Sequence, residues 1–145
     1  MSSTAKRIGL GLVAAGTIAG LALAAAPARA DKKLTCEMTG TWIEQNDRFV
    51  FQAEYTAKNG PDTFVGTYFN ASAKTTARVK GAADKGTWAI VLEYTDQGHR
   101  GQTRELLGKG QLIGNSTLTV NGAYVYKEFG RQIGTGNFSL IGKCK

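Results

Sequence analysis

The chain holds only two cysteines, Cys36 and Cys144, and the second is its penultimate residue. If they are joined, any fold must bring together two positions 108 residues apart. No other feature constrains the architecture as tightly. Whether they are joined depends on where the chain resides. Residues 1–30 read as a secretory signal. Lys6 and Arg7 form a charged start, Ile8 to Ala26 is an uncharged Ala/Gly/Leu-rich run, and Ala28-Arg29-Ala30 is a small-x-small cleavage site. The run is long enough to be weighed as a membrane anchor, but its Gly and Ala content makes it weakly apolar. Alanine-rich leaders of this kind suit a bacterium, so the expected location is the periplasm or the exterior. A disulfide between two cysteines is the expected state there. Two free thiols or a metal pair are the alternatives.

The remaining segment, 31–145, is long enough for one domain with a single core. Because 1–30 carries Lys6, Arg7 and Arg29 and no acid, the full-chain net charge of +7 falls to +4 in this segment. Its charges are scattered, with no run longer than Lys32-Lys33, so no nucleic-acid partner is expected.

No stretch of 31–145 has a helical period. Eight short runs rich in Thr, Val, Tyr and Phe are split by Gly, Asn and Asp, at about 34–43, 47–57, 62–69, 74–81, 86–95, 103–113, 116–126 and 132–142. The joints are short and carry turn residues, as in Lys58-Asn59-Gly60-Pro61-Asp62 and Ala82-Ala83-Asp84-Lys85-Gly86, which favours antiparallel neighbours. Alternation assigns one face to Phe49, Phe51, Ala53 and Tyr55, and likewise to Trp88, Ile90, Leu92 and Tyr94. An open eight-stranded meander would leave two bare edges, which closure removes. Closure also makes the first and last strands neighbours, where a Cys36–Cys144 bridge needs them. The fold expected is a single all-β domain, an eight-stranded antiparallel up-and-down barrel. A membrane barrel would turn its apolar face outward. The short loops and the charged Glu54, Arg78, Lys80, Glu93 and Lys109 on the opposite face argue for the inward direction.

A weak repeat pairs glycine with an aromatic two residues on: Gly40-Thr41-Trp42, Gly66-Thr67-Tyr68, Gly86-Thr87-Trp88 and Gly122-Ala123-Tyr124. Both residues then share one strand face, and a ring can cover a neighbouring glycine. The opening Gly-x-Trp resembles that of the calycin group, which includes lipocalins and avidins. Thr39-Gly40-Thr41-Trp42 followed by Phe64-Val65-Gly66-Thr67-Tyr68 is most similar to the first strands of the avidin family. The resemblance implies the same barrel and makes Tyr68 the counterpart of a ligand-binding tyrosine. It covers about a third of 31–145. The chain departs from the family in having only Trp42 and Trp88 as tryptophans, Glu44, Asn46 and Arg48 after the first strand, and Leu92 where a pocket tryptophan would stand. Shared architecture without biotin binding is the expectation.

The chemistry-bearing residues are sparse. His99 is the sole histidine, in Gly98-His99-Arg100-Gly101, and reads as a solvated loop residue. Glu37, Glu44, Glu54, Glu93 and Glu105 lie on separate runs and read as solvent-facing. No phosphate loop, nucleophile elbow or cysteine–histidine pair is present, so no enzyme, metal or cofactor is expected. The expectation is an exported binding barrel for a small apolar or amphipathic ligand. Candidate lining residues are Trp42, Phe51, Tyr68, Trp88, Tyr94 and Tyr124, the same rings that would fill a solid core. The alternative is a protein-binding or inhibitory barrel that works through its loop rim at 58–62 and 96–102.

Overall fold

Strict in–out alternation is the local rule from which the architecture is built. In Lys32–Trp42 (β1), Leu34, Cys36, Met38, Gly40 and Trp42 are buried, while the residues between them face outward. Asp47–Ala57 (β2) repeats the pattern with Phe49, Phe51, Ala53 and Tyr55 inside. The chain continues through Asp62–Asn70 (β3), Thr75–Asp84 (β4), Thr87–Tyr94 (β5), Gln102–Ile113 (β6), Thr117–Glu128 (β7) and Arg131–Cys144 (β8). A single 3-10 turn, Gln97–His99, interrupts the β5–β6 connection. The computed structural model describes residues 32–145 apart from 59 and 115; the expected signal segment lies outside the described residues.

Each strand pairs antiparallel with the next, and β1 pairs with β8, so the sheet is a closed eight-stranded up-and-down barrel. In the closing ladder Cys36 lies opposite Cys144 and Trp42 opposite Phe138. The two cysteines are bonded, with Cα atoms 3.9 Å apart, and both are buried on the inner face. Thr35 and Lys145 exchange two backbone hydrogen bonds of 2.8 Å, extending the seam to the last residue.

The strands run further than sequence patterning suggests. Ala82-Ala83-Asp84 reads as turn chemistry but extends β4, because Lys85 and Gly86 alone make the reversal, at φ 50° and 80°. Two consecutive positive φ values define a two-residue turn whose twist matches the strands it joins, so the ladder continues to Asp84 and Thr87. Phe129 and Gly130, at φ 48° and 82°, do the same between β7 and β8.

The apolar face points inward. Met38, Phe51, Ile90, Leu92, Leu106, Val120 and Leu140 fill the middle of the barrel with essentially no solvent contact. Glycines make this filling possible. Gly40 lies opposite Phe49, Gly81 opposite Phe64, Gly136 opposite Tyr124 and Gly122 opposite Phe138. A Cβ at Gly40 would collide with the Phe49 ring, so the ring occupies the space the glycine leaves. The outer face carries the pairs Lys33–Glu54, Lys80–Glu93 and Lys127–Glu105. Among the described residues no helix is long and apolar enough to cross a membrane.

The barrel has two unlike ends. The ends of β2, β4 and β6 and the starts of β3, β5 and β7 lie with Lys32 and Lys145 at the end nearer the bridge. Connections 43–46, 71–74, 95–101 and 129–130 form the opposite end, called here the mouth.

Candidate functional site

The six rings expected to line one interior do not form one site. Phe51 is 0% exposed and sealed in the packed middle. Trp88 stands at the bridge end, stacked on Tyr55 at 5.7 Å and edge-on to Phe64. Trp42, Tyr68, Tyr94 and Tyr124 gather toward the mouth, where the first three wall a cavity of about 90 Å³. Of the two interiors open to such a barrel, filled or hollow, the structure has a solid core with a recess at each end. The physical reason is volume: eight strands enclose little more than their own inward side chains.

The residue that organises the mouth is Arg104, and composition and motifs do not single it out. It is an inward position near the start of β6, opposite Leu92 on β5 and Tyr126 on β7. Its guanidinium reaches across the lumen to the ring of Trp42 on β1, 4.1 Å from Cζ to the centroid, and lies 4.8 Å from that of Tyr124 and 4.5 Å from that of Tyr126. Three ring faces thus hold the cation. Its Nε is buried and has no hydrogen-bond partner among the described residues. One signal could have found it: Arg104 is in phase with Leu106 and Gly108, the inward side of β6.

The remaining wall is polar and ordered. The Trp42 indole N–H donates to the Tyr68 hydroxyl at 3.4 Å, and the Thr75 hydroxyl donates to the same oxygen at 3.3 Å. Asn70 Nδ2 donates to Asp47 at 2.8 Å, while its Oδ1 accepts from the Ala73 N–H and closes the 71–74 turn. The Tyr126 hydroxyl donates to Gln102. Gln45 and the Tyr124 hydroxyl lie 3.3 Å apart, linking the 43–46 turn to β7.

His99 is not a freely solvated loop residue. Its Nδ1 meets the Asp96 carboxylate, and its ring lies 5.7 Å from that of Tyr94, so the 3-10 turn folds over the cavity. Burial pushes the Asp96 carboxyl up, but hydrogen bonds from His99 and the Thr76 N–H outweigh it and leave the group below its ordinary range. On the opposite rim the backbone N–H of Asn137, then its side chain, hold the Glu44 carboxyl below its usual value.

Desolvation raises the Tyr94 phenol far above its ordinary 10.0, with the nearby Arg104 charge offsetting only part of the shift. Tyr126 moves the same way, again through burial. The folded state therefore holds these protons more tightly than the unfolded chain. The contribution of these two phenols to stability is fully present below pH 10 and is lost as pH rises above it. We expect absorbance at 295 nm to show a fraction of the five tyrosines ionising only together with loss of near-ultraviolet dichroism. All five ionising near pH 10 in folded protein would contradict the buried placement.

The recess at the bridge end is larger, about 290 Å³, and walled by Tyr55, Trp88 and Leu112. Two of its polar side chains are matched to each other: Asp62 accepts from the Tyr55 hydroxyl, and also from the Lys58 N–H at 2.8 Å, and no buried unpartnered side-chain atom lies here among the described residues. That leaves the mouth as the end with an uncompensated group. Among the described residues no cluster of three or more His, Cys, Asp or Glu could hold a metal ion. The chain matches no family model, no curated protein and no solved structure.

Proposed function

We propose that this protein is a small-ligand-binding barrel and that its ligand enters the mouth, between Trp42, Tyr68, Tyr94 and Arg104. One observation carries the reading: aromatic walls and hydrogen-bonding groups converge on a recess whose one cation, Arg104, forms no ion pair with any described residue, the Asp47 carboxylate on the same wall being engaged by Asn70. Sites for small molecules combine apolar walls with a few placed polar groups in this way. The packed middle limits the guest. A cavity of about 90 Å³ has room for a head group, not for a long apolar chain. The remainder of a ligand would lie on the rim, where Ile43 is 50%, Phe69 52% and Phe129 80% exposed. The favoured ligand is amphipathic. The resemblance of the first strands to avidins supports this reading and would set Trp42 and Tyr68 at the ligand, with biotin itself not the expected guest. The buried disulfide fits export to an oxidising compartment.

The test is native mass spectrometry of protein purified from its own host, beside an Ala73→Trp variant. Ala73 lines the cavity from the exposed 71–74 turn, so the larger ring obstructs the mouth without entering the core. We expect bound mass on the native chain and its loss in the variant. A native chain with no added mass, together with no thermal shift from any of a panel of small amphipathic molecules, would remove the proposal.

A further inference from the structure

We infer that the group this mouth receives is a carboxylate, seated on the guanidinium of Arg104; the inference rests on the small-ligand reading above and names the class of ligand. A guanidinium is charged at any pH a protein survives. Partial withdrawal from water is costly for such a group unless an opposite charge meets it. The rings of Trp42, Tyr124 and Tyr126 stabilise the cation and fix its plane, but they do not neutralise it.

The acids around the mouth do not neutralise it either. No ion pair joins Arg104 to any described residue, although Asp47, Asp96 and Glu128 all lie at this end. Each is engaged elsewhere. Asp47 accepts from Asn70, Asp96 from His99 and the Thr76 N–H, and Glu128 from Gln102. The cation is thus preorganised, oriented and unpaired, with its Nε unmatched. A planar fork of donors matches a planar carboxylate. The single positive charge also sets the valence. A monoanion balances it, whereas a phosphate dianion would keep one charge uncompensated beside Asp47. The protonated Tyr94 phenol on the same wall adds a neutral donor and not a competing anion.

The experiment compares benzoate with benzamide, its neutral counterpart of equal shape, by calorimetry and by the NMR shift of the Trp42 indole N–H. Inorganic phosphate is the third probe. We expect benzoate to bind at least about tenfold more tightly than benzamide, as charge-assisted hydrogen bonds outweigh neutral ones. Phosphate should be weaker than benzoate. In Arg104→Gln the preference for benzoate should vanish, in Arg104→Lys a part of it should survive, and in Asp47→Asn it should grow. Should Arg104→Gln not fold, the lysine variant and the native comparison still decide. Benzamide binding as well as benzoate would overturn the carboxylate assignment and leave the small-ligand reading standing. Phosphate binding more tightly than benzoate would overturn it too. No response of the Trp42 indole to any probe would overturn the carboxylate assignment, while the small-ligand reading falls only if the native chain also carries no added mass and no amphipathic molecule shifts its melting.

Discussion

Replacing both Cys36 and Cys144 with alanine lowers the melting temperature by on the order of 20 °C while leaving the far-ultraviolet signature of the barrel in place. The bridge closes a loop with a sequence separation of 108, and for loops of that size the chain-entropy treatment gives about 4.7 kcal/mol. For a domain a little over 100 residues long, each kcal/mol corresponds to roughly 4–6 °C. The loss is a large share of the ~5–15 kcal/mol that holds an ordinary domain folded. Strand content survives because the seam has other fasteners. The ladder from Cys36–Cys144 to Trp42–Phe138 and the two Thr35–Lys145 hydrogen bonds remain. Both sulfurs face the core, so mild reductant should leave the native protein bridged until it unfolds. Differential scanning calorimetry of the double variant is the measurement. A melting point within a few degrees of the native value would mean that the unfolded chain is already compact enough for the link to constrain nothing.

The strand order, the closure and the bridge were legible for one physical reason: a period of two can be read without knowing the partner strand. Once Phe49, Phe51, Ala53 and Tyr55 share a face, the inward side is decided for every strand that repeats the pattern. The glycine–ring pairs were half legible. Gly40 stood out in the sequence, but its partner Phe49 depends on register, which only the folded sheet supplies. Turn boundaries failed at Ala82–Asp84 because Lys85-Gly86 makes the tight reversal without the usual Asn or Asp.

The site was less legible than the fold. Inward aromatics mark a core and a pocket alike, so Phe51 and Trp42 looked equivalent although one is sealed and the other borders a cavity. Arg104 was missed because charged residues are placed outward by default. Its parity with Leu106 pointed the other way. A charged residue in phase with an apolar strand face is the exception that singles out a site.

Trp42→Ala should destabilise the domain by about 3–5 kcal/mol, the cost of emptying a large aromatic position in a packed interior. Trp42 is the wedge between core and mouth. Its ring lies 4.2 Å from that of Phe49 below and 4.9 Å from that of Tyr124 to the side, with the Arg104 guanidinium on its face. Truncation removes that packing, the hydrogen bond to Tyr68 and one of three rings holding the cation. Trp42→Phe keeps a ring under Arg104 and should cost markedly less. The coupling can be isolated by a double-mutant cycle with Arg104→Gln. A cation over a ring contributes roughly 0.5–2 kcal/mol, so the two losses should fall short of additive by that order. Chemical denaturation of the four proteins supplies the numbers. A loss below about 1 kcal/mol for Trp42→Ala would show that the core closes without it. Strict additivity would show that Arg104 does not rest on the indole. Because one side chain serves as both the lid of the core and the floor of the mouth, a ligand that engages Arg104 should also raise the melting temperature. Binding at the mouth and stability of the barrel then share a residue, and neither can be altered at Trp42 without the other.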